Sequence, residues 1–297
     1  MAIVTGRKNY FAIALKYFIV TLLTFIFIYP FWQVLIISLN DSVDLARGFP
    51  AWLPRVFSLA NYRQVFRSYL LPRAVFLSVA RTVLATALGL ICNGMLAYSL
   101  TRRQLLAKKF FNNMFILTMY FGGGLIPTYI LINNIGLTNN FLVFILPAAI
   151  NVYYMIIIKS YYVGLPDSLE EAARIDGCGD FGIFIQIILP ISIPVFAAIG
   201  VYYAVGQWNA WWDNYIYANG NNLVTLQLLL MRIIKDADTI ATMAEKGGGS
   251  VIANPTQANP MGIRMATTMV ATVPILVTYP FFQKYFISGI TIGAVKG

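Results

Sequence analysis

Five of the eleven acidic residues lie between positions 167 and 180: Asp167, Glu170, Glu171, Asp176 and Asp180, with Arg174 as the one base among them. Carboxylates can act as general acids or bases, as metal ligands, or as charged contacts for another macromolecule. The first two roles usually enlist histidine, and the chain has none. Its two cysteines, Cys92 and Cys178, are far apart, one inside an apolar run and the other in a polar turn. They give neither a disulfide framework nor a metal cluster. There is no G-x-x-x-x-G-K-[ST] run to cradle a phosphate. The sequence therefore contains no catalytic, metal or nucleotide constellation, and the acidic cluster is left with contact chemistry.

The spacing of the cluster supports that role. Ser168 with Glu171 three residues later reads as a capping box, predicting a short helix over 169–176. Gly177 follows, and glycine adopts the left-handed conformation that ends a helix at little cost. A second short helix is expected from near Asp180, leading through Phe181, Ile183 and Phe184 to Ile187, Leu189 and Pro190. Leu169, Ala172, Ala173 and Ile175 provide an apolar face of small side chains. A loop that only returns the chain needs about 2–8 residues. The segment 164–182 is longer and capped, so it reads as a docking knob for a partner.

The elements around this knob are apolar. Hydrophobic residues make up 59% of the chain and charged residues 11%, against about 45–50% and about 25% in soluble domains. A helix needs about 20 apolar residues to span a bilayer. Six stretches meet this length: 18–39, 74–100, 110–132, 141–163, 183–208 and 265–290. They are continuously apolar, whereas barrel strands alternate over about 10 residues. The fold class expected is an all-α membrane protein of six transmembrane helices. It forms one domain over 1–297, with a cytoplasmic helix-turn-helix at 164–190 between the fourth and fifth spans. Arg7, Lys8 and Lys16 precede the first stretch, which is too long and bulky for a cleaved signal and reads as a retained span.

Orientation follows from short loops. Segment 101–109 carries Arg102, Arg103, Lys108 and Lys109 without an acid and belongs in the cytoplasm. Alternation then puts both termini and 164–182 inside and leaves 40–73 and 211–264 outside. The external segment 40–73 opposes this rule with Arg47, Arg55, Arg63, Arg67 and Arg73, but longer loops obey it less. The net charge of +10 is spread over inter-span segments and does not indicate nucleic acid. The external segment 211–264 holds an amphipathic helix at 223–234 and a flexible run, Gly247-Gly248-Gly249-Ser250, expected to serve as part of a mobile cap.

Several polar residues fall within or at the ends of spans. Asn93, Asn151, Gln186 and Gln207 read as interhelical hydrogen-bonding residues. Asn151, mid-span beside Tyr153 and Tyr154, is also the best pore-lining candidate. Arg81 is expected to snorkel to the interface. Gly122, Gly123 and Gly124 with Pro127 interrupt the third span. Trp208, Trp211 and Trp212 read as an interfacial aromatic belt.

The run Glu171-Ala172-Ala173, three residues, Gly177, nine residues, Ile187, one residue, Leu189-Pro190 resembles the EAA motif of permease subunits in binding-protein-dependent ABC importers. The likeness extends over nearly the whole chain to the carbohydrate-uptake branch, near the smaller permease of the maltose system. Thr118 to Pro127 and Tyr279 to Phe286 are similar to a subgroup handling polysaccharide fragments, including aldouronate-type permeases. The resemblance implies an inner (cytoplasmic) membrane protein of a prokaryote that imports oligosaccharides, with acidic fragments suggested by the external arginines. It implies that Glu170, Glu171, Ala172, Ala173, Asp176 and Gly177 meet an ATPase. It further implies a homologous second permease, an ABC ATPase dimer that binds ATP and Mg, an extracellular sugar-binding protein and the lipid bilayer as partners. The chain itself would hold no cofactor, and the tail 288–297 would reach into the ATPase pair. Asn151, Tyr153, Tyr154, Trp208 and Asn209 become the substrate-path residues, with the tryptophans as a sugar-stacking alternative to the belt. The rival reading is a stand-alone secondary transporter. Such a transporter usually needs intramembrane carboxylates or histidines, and no core span contains one.

Overall fold

The structure, a computed structural model, describes residues 10–45, 47–67, 69–102, 104–245 and 260–294. The described chain is helical, with an isolated antiparallel bridge between Asn40 and Phe57. It falls into two compact units, one formed by Met1–Ser68 with Ile233–Thr272 and the other by Tyr69–Arg232 with Val273–Gly297.

The first unit begins with α1 (Tyr10–Ser38). At about 1.5 Å per residue this helix is longer than the hydrocarbon core of about 30 Å. None of its most apolar stretch is buried within the chain, so its side chains need lipid or another chain as their medium. After it come α2 (Ser42–Leu45) and α3 (Ala60–Arg67). Asn61 of α3 is fully buried and organises this turn. Its amide donates to the carbonyls of Ser38 (3.1 Å) and Asn40 (3.0 Å), and its oxygen accepts from the Ser42 hydroxyl (2.9 Å). Arg55 pairs with Asp44 at 2.8 Å. Hydrogen bonds from Asn40 and Arg55 hold the Asp44 carboxyl below the usual carboxylate range. The described part of 40–67 is therefore held by its own hydrogen bonds and an ion pair.

The second unit is built on α4 (Leu71–Thr101). Its buried face carries Ala74, Ser78, Ala85, Gly89, Asn93, Gly94 and Ala97 at helical spacing. Small residues let other helices approach closely. A Cβ on Gly89 would lie 2.6 Å from the Tyr203 ring, and one on Gly94 2.6 Å from the Phe196 ring. Next come α5 (Lys108–Tyr120) and α6 (Leu125–Asn134), bent by 114° at the glycine run. Gly124 has φ +79°. The expected interruption of the third span is thus a sharp turn.

The predicted fourth span, 141–163, is not one helix. Its first part is a 3-10 turn, Phe141–Phe144, capped by Asn140, and α7 begins only at Val152 and runs to Val163. Pro147 lacks an N–H and disfavours the helical conformation at Leu146. Asn151 is consequently the N-cap of α7, accepting from the Tyr154 N–H at 3.2 Å, and not a mid-span residue. Asn93 seals this break. Its amide donates to Ala149 O (3.0 Å) and the Tyr203 hydroxyl (3.1 Å), and its oxygen accepts from the Asn151 N–H (3.0 Å).

The chain continues through α8 (Ser168–Ile175), α9 (Asp180–Ile183), a π turn (Phe184–Ile188), α10 (Leu189–Ile191) and α11 (Ile193–Asn209). The fifth predicted span bends by 79° at Ser192, where Pro194 supplies no N–H to continue the helical ladder. After α12 (Trp212–Tyr217) comes α13 (Leu226–Glu245). It starts later than the predicted 223–234 because buried Asn214 holds Leu223 and Thr225 in a non-helical lead-in. The last helix, α14 (Pro260–Ala294), contains the sixth predicted span. Arg7, Lys8, Arg103, the run from Gly247 to Ser250 and Lys296 lie outside the described residues. Among the described residues, α1, α4 and the first part of α14 are long and apolar enough to cross a membrane singly; the bent pairs α5–α6 and 180–209 are so together.

Replacing Asn93 with Leu leaves Ala149 O and the Asn151 N–H without their buried partner, at about 1–3 kcal/mol for each unpaired group. Thermal unfolding in detergent should show a clearly lowered midpoint; an unchanged midpoint would mean that the break is sealed by other means.

Candidate functional site

The acidic hairpin forms much as its spacing suggests, with one difference at its start. The N-cap is Asp167, in helical conformation and without a side-chain cap bond; Ser168 is already inside α8. The turn from Gly164 feeds straight into the helix, with the Glu170 and Glu171 amides both donating to Asp167 O at 3.1 Å. A capping box needs an extended N-cap residue, so the predicted Ser168–Glu171 box does not form. The other end follows expectation. Gly177 has φ +81°, Cys178 N–H donates to Ala173 O (2.9 Å) and Gly177 N–H to Arg174 O (3.0 Å). This is the paired closure of a Schellman motif, with α9 following at Asp180.

Helical phase divides α8 into two faces. Ala173 is buried, and Leu169 and Glu170 are half-buried. Ser168, Glu171, Ala172 and Ile175 face outward, with Ile175 86% exposed, and Asp176 and Gly177 are exposed beside them. The apolar face expected from Leu169, Ala172, Ala173 and Ile175 is therefore split: two of these side chains anchor the helix and two are displayed.

Charge is divided in the same way. Glu170 makes a two-pronged ion pair with Arg102, the residue that closes α4. The Arg102 guanidinium lies 4.1 Å over the Tyr98 ring. Burial works against its charge, but the Glu170 hydrogen bond and the surrounding acidic groups outweigh this and hold its pKa above the ordinary guanidinium value. Tyr98 packs on Phe184 (5.2 Å between centroids) and Tyr162 (6.3 Å). Arg174 pairs with Asp180. Among the described residues no ion pair engages Glu171 or Asp176, and their charges are displayed. Sequence reasoning used Arg102 only as a topology signal. Its pairing across 68 positions left no local trace.

The substrate-path candidates fall into two groups. Asn151, Tyr153 and Tyr154 begin α7; Tyr153 is exposed, and Tyr154 packs on Tyr203 at 4.8 Å. Trp208 and Asn209 end α11; Trp208 is buried, whereas Asn209 is exposed and accepts from Gln227 at 3.3 Å. Trp208 is thus not a belt residue, while Trp212 is half-exposed and stacked on Tyr215 (6.0 Å, 28°).

Arg81 does not snorkel. It is 2% exposed and donates to Gln207 Oε1 (2.9 Å), Ala210 O (3.2 Å) and both carboxylate oxygens of Asp213, and its guanidinium lies 4.9 Å from the Phe144 ring centre. Reaching these partners inside the chain spares it the path to water. The pair joins residues 132 apart, so the sequence offered only an arginine in an apolar run and an acid at a span edge.

A family profile described as "Binding-protein-dependent transport system inner membrane component" matches residues 94–292. The chain is 36% identical to the polygalacturonan/rhamnogalacturonan transport system permease protein YtcP of Bacillus subtilis (strain 168), over 98% of this chain and 100% of the relative. It is 37% identical to protein LplC of the same organism, over 91% and 90%. It is 29% identical to the arabinooligosaccharides transport system permease protein AraQ of Halalkalibacterium halodurans, over 93% of each. Its fold is similar to that of a chain in the crystal structure of a bacterial ABC transporter involved in the import of the acidic polysaccharide alginate, with TM-score 0.78 and 23% identity over 96% and 100% of the two chains. These likenesses leave the stand-alone transporter reading without support.

Asp213→Ala leaves the Arg81 charge buried and unpaired, which costs about 3–5 kcal/mol. Its melting point in detergent should fall well below that of the double variant Arg81→Met/Asp213→Leu, where no charge is stranded. Equal melting points for the two would mean that the ion pair does not hold this corner.

Proposed function

Because the chain belongs to the family of binding-protein-dependent transport system inner membrane components, we propose that it is one of two homologous permease subunits of an ATP-driven importer for oligosaccharides, acidic polysaccharide fragments in particular. The chain is a transport permease component and not a catalytic subunit. A dimer of separate ATPase subunits binds ATP and Mg, and an extracellular binding protein delivers the sugar. The single domain 1–297 crosses the bacterial inner membrane six times with both termini in the cytoplasm, the bent pairs each counting as one span and 141–163 as another.

The observation that carries this reading is the hairpin α8–α9. It is capped at Gly177, anchored by Glu170 and Ala173, and displays Glu171, Ala172, Ile175 and Asp176. A small, rigid, mixed apolar and acidic face suits a cleft on a partner. In this reading the face enters the ATPase subunit, ATP-driven closure of the ATPases displaces the hairpin, and the permease pair opens outward. Asn151, Tyr153, Tyr154, Trp208 and Asn209 are assigned to the sugar path. The acidic substrate class is supported by the naming of YtcP for polygalacturonan and rhamnogalacturonan and by exposed Arg63 and Arg67 on α3.

Two outcomes test the reading. Ile175→Glu places a third charge in the displayed face and should abolish co-purification of the ATPase subunit with this chain; undiminished recovery would remove α8 as the docking element. Gly177→Val forces a β-branched residue into left-handed backbone, at about 1–2 kcal/mol. Uptake of oligogalacturonides by reconstituted vesicles should fall while the chain still inserts, and wild-type uptake would deny Gly177 its coupling role.

A further inference from the structure

Glu170 and Glu171 are neighbours in sequence and opposite in placement. Glu171 is displayed; Glu170 is turned inward and gripped by Arg102 through two hydrogen bonds. Both side chains of this pair are 19% exposed. An arginine–carboxylate pair of this form fixes direction as well as distance, and partial burial limits its screening by salt.

Arg102 is itself held. Its backbone N–H donates to Ser99 O (3.2 Å), its guanidinium donates to Thr101 Oγ1 (3.1 Å), and it lies over Tyr98. The rest of α8 is weakly attached. Ala173 is its one buried residue, and alanine adds little apolar adhesion. The helix is flanked by the exposed turn at Gly164 and by left-handed Gly177, around which the backbone has open space. A force applied to the displayed face would rotate α8 about these two ends unless something ties it to a long element.

We propose that Glu170 and Arg102 are a positioning pair that ties the docking helix α8 to the 31-residue helix α4, so that displacement of α8 by the ATPase moves α4 with it. This inference rests on the reading of α8 as the ATPase-docking element. The pair makes α8 and the end of α4 one mechanical body through the nucleotide cycle. α4 is the element on which α7 and α11 pack, so what moves α4 moves the bundle. The tie is polar and directional, and it can hold a small helix whose outer face must stay bare for the partner.

The test uses this chain purified together with its partner subunits, in a background with Cys92→Ala and Cys178→Ala. Spin labels on Ser168→Cys in α8 and Met95→Cys in α4, both exposed positions, report their separation by pulsed electron resonance. Measurements are made without nucleotide and after trapping with ATP, Mg and vanadate. The unsubstituted pair should give one distance in both states. Glu170→Asp keeps the charge but is one methylene short for the double contact. With it, and with Arg102→Gln, the distance should shift or broaden on trapping while the ATPase subunit still co-purifies. Glu170→Gln with Arg102→Gln together should do no more than Arg102→Gln alone, because both remove the same link. A distance that changes on trapping with the pair intact would overturn the proposal. So would variants that keep one unchanged distance in both states, or variants equally altered with and without nucleotide, which would make the pair a static brace. Failure of the docking reading looks different: Ile175→Glu would leave ATPase recovery intact, whatever the distances do.

Discussion

A polar backbone group without a partner is tolerated in water and costs several kcal/mol in hydrocarbon. This chain nevertheless breaks its apolar elements at 121–124, 145–151, 192 and 210–211. Much of its architecture follows from how such breaks are closed. Asn93 closes the turn before α7 by offering donor and acceptor from one amide. Arg81 closes the corner between α11 and α12, where it takes up Ala210 O together with Asp213. Asn214 holds the lead-in to α13, and Asn61 does the same for the end of α1 within its own unit. Each of these side chains carries several donors or acceptors in fixed geometry, which a hydroxyl cannot match.

Two of those side chains project from α4, whose helix runs unbroken from Leu71 to Thr101. Arg81 stands near its start, Asn93 beyond its middle, and Arg102 closes its end. One unbroken helix thus holds the α11–α12 corner, the start of α7 and the hairpin at 168–183. The stripe of small residues between them allows α11 to pack so closely that Gly89 and Gly94 have no room for a Cβ. The two features depend on one another. Close packing brings Tyr203 within reach of Asn93, and the hydrogen bonds keep the close approach in register.

The sequence was most informative where structure is local. Gly177 ended its helix, the glycines at 122–124 broke theirs, and Asp180 opened a second short helix. Each outcome needs only the conformational preferences of a few adjacent residues. Three kinds of feature were not legible. An apolar run has the same hydropathy whether or not it is helical, and only Pro147 hinted that 141–151 would not be. Burial against protein and exposure to lipid select the same residue types, since lipid tails are as apolar as a core; Trp208 therefore could not be told from an interfacial tryptophan. The pairs Arg81–Asp213 and Arg102–Glu170 join residues brought together by the whole fold, and nothing near either partner in sequence announces the other.

The distribution of burial bears on the medium such a chain requires. A buried cluster lies where the end of α4 meets α7, the hairpin and α11, and includes Tyr98, Met155, Tyr162, Ala173, Phe184 and Tyr203. Away from that cluster, much of α1, α5 and α6 is exposed and apolar. A soluble protein with these surfaces would aggregate. In a membrane the same surfaces are at no disadvantage, because lipid tails are as apolar as a protein core. Ala173, the one buried residue of α8, belongs to the same cluster as Tyr98 of α4, Tyr162 of α7 and Phe184 of the π turn, so the short helix is seated on aromatic side chains drawn from three other elements.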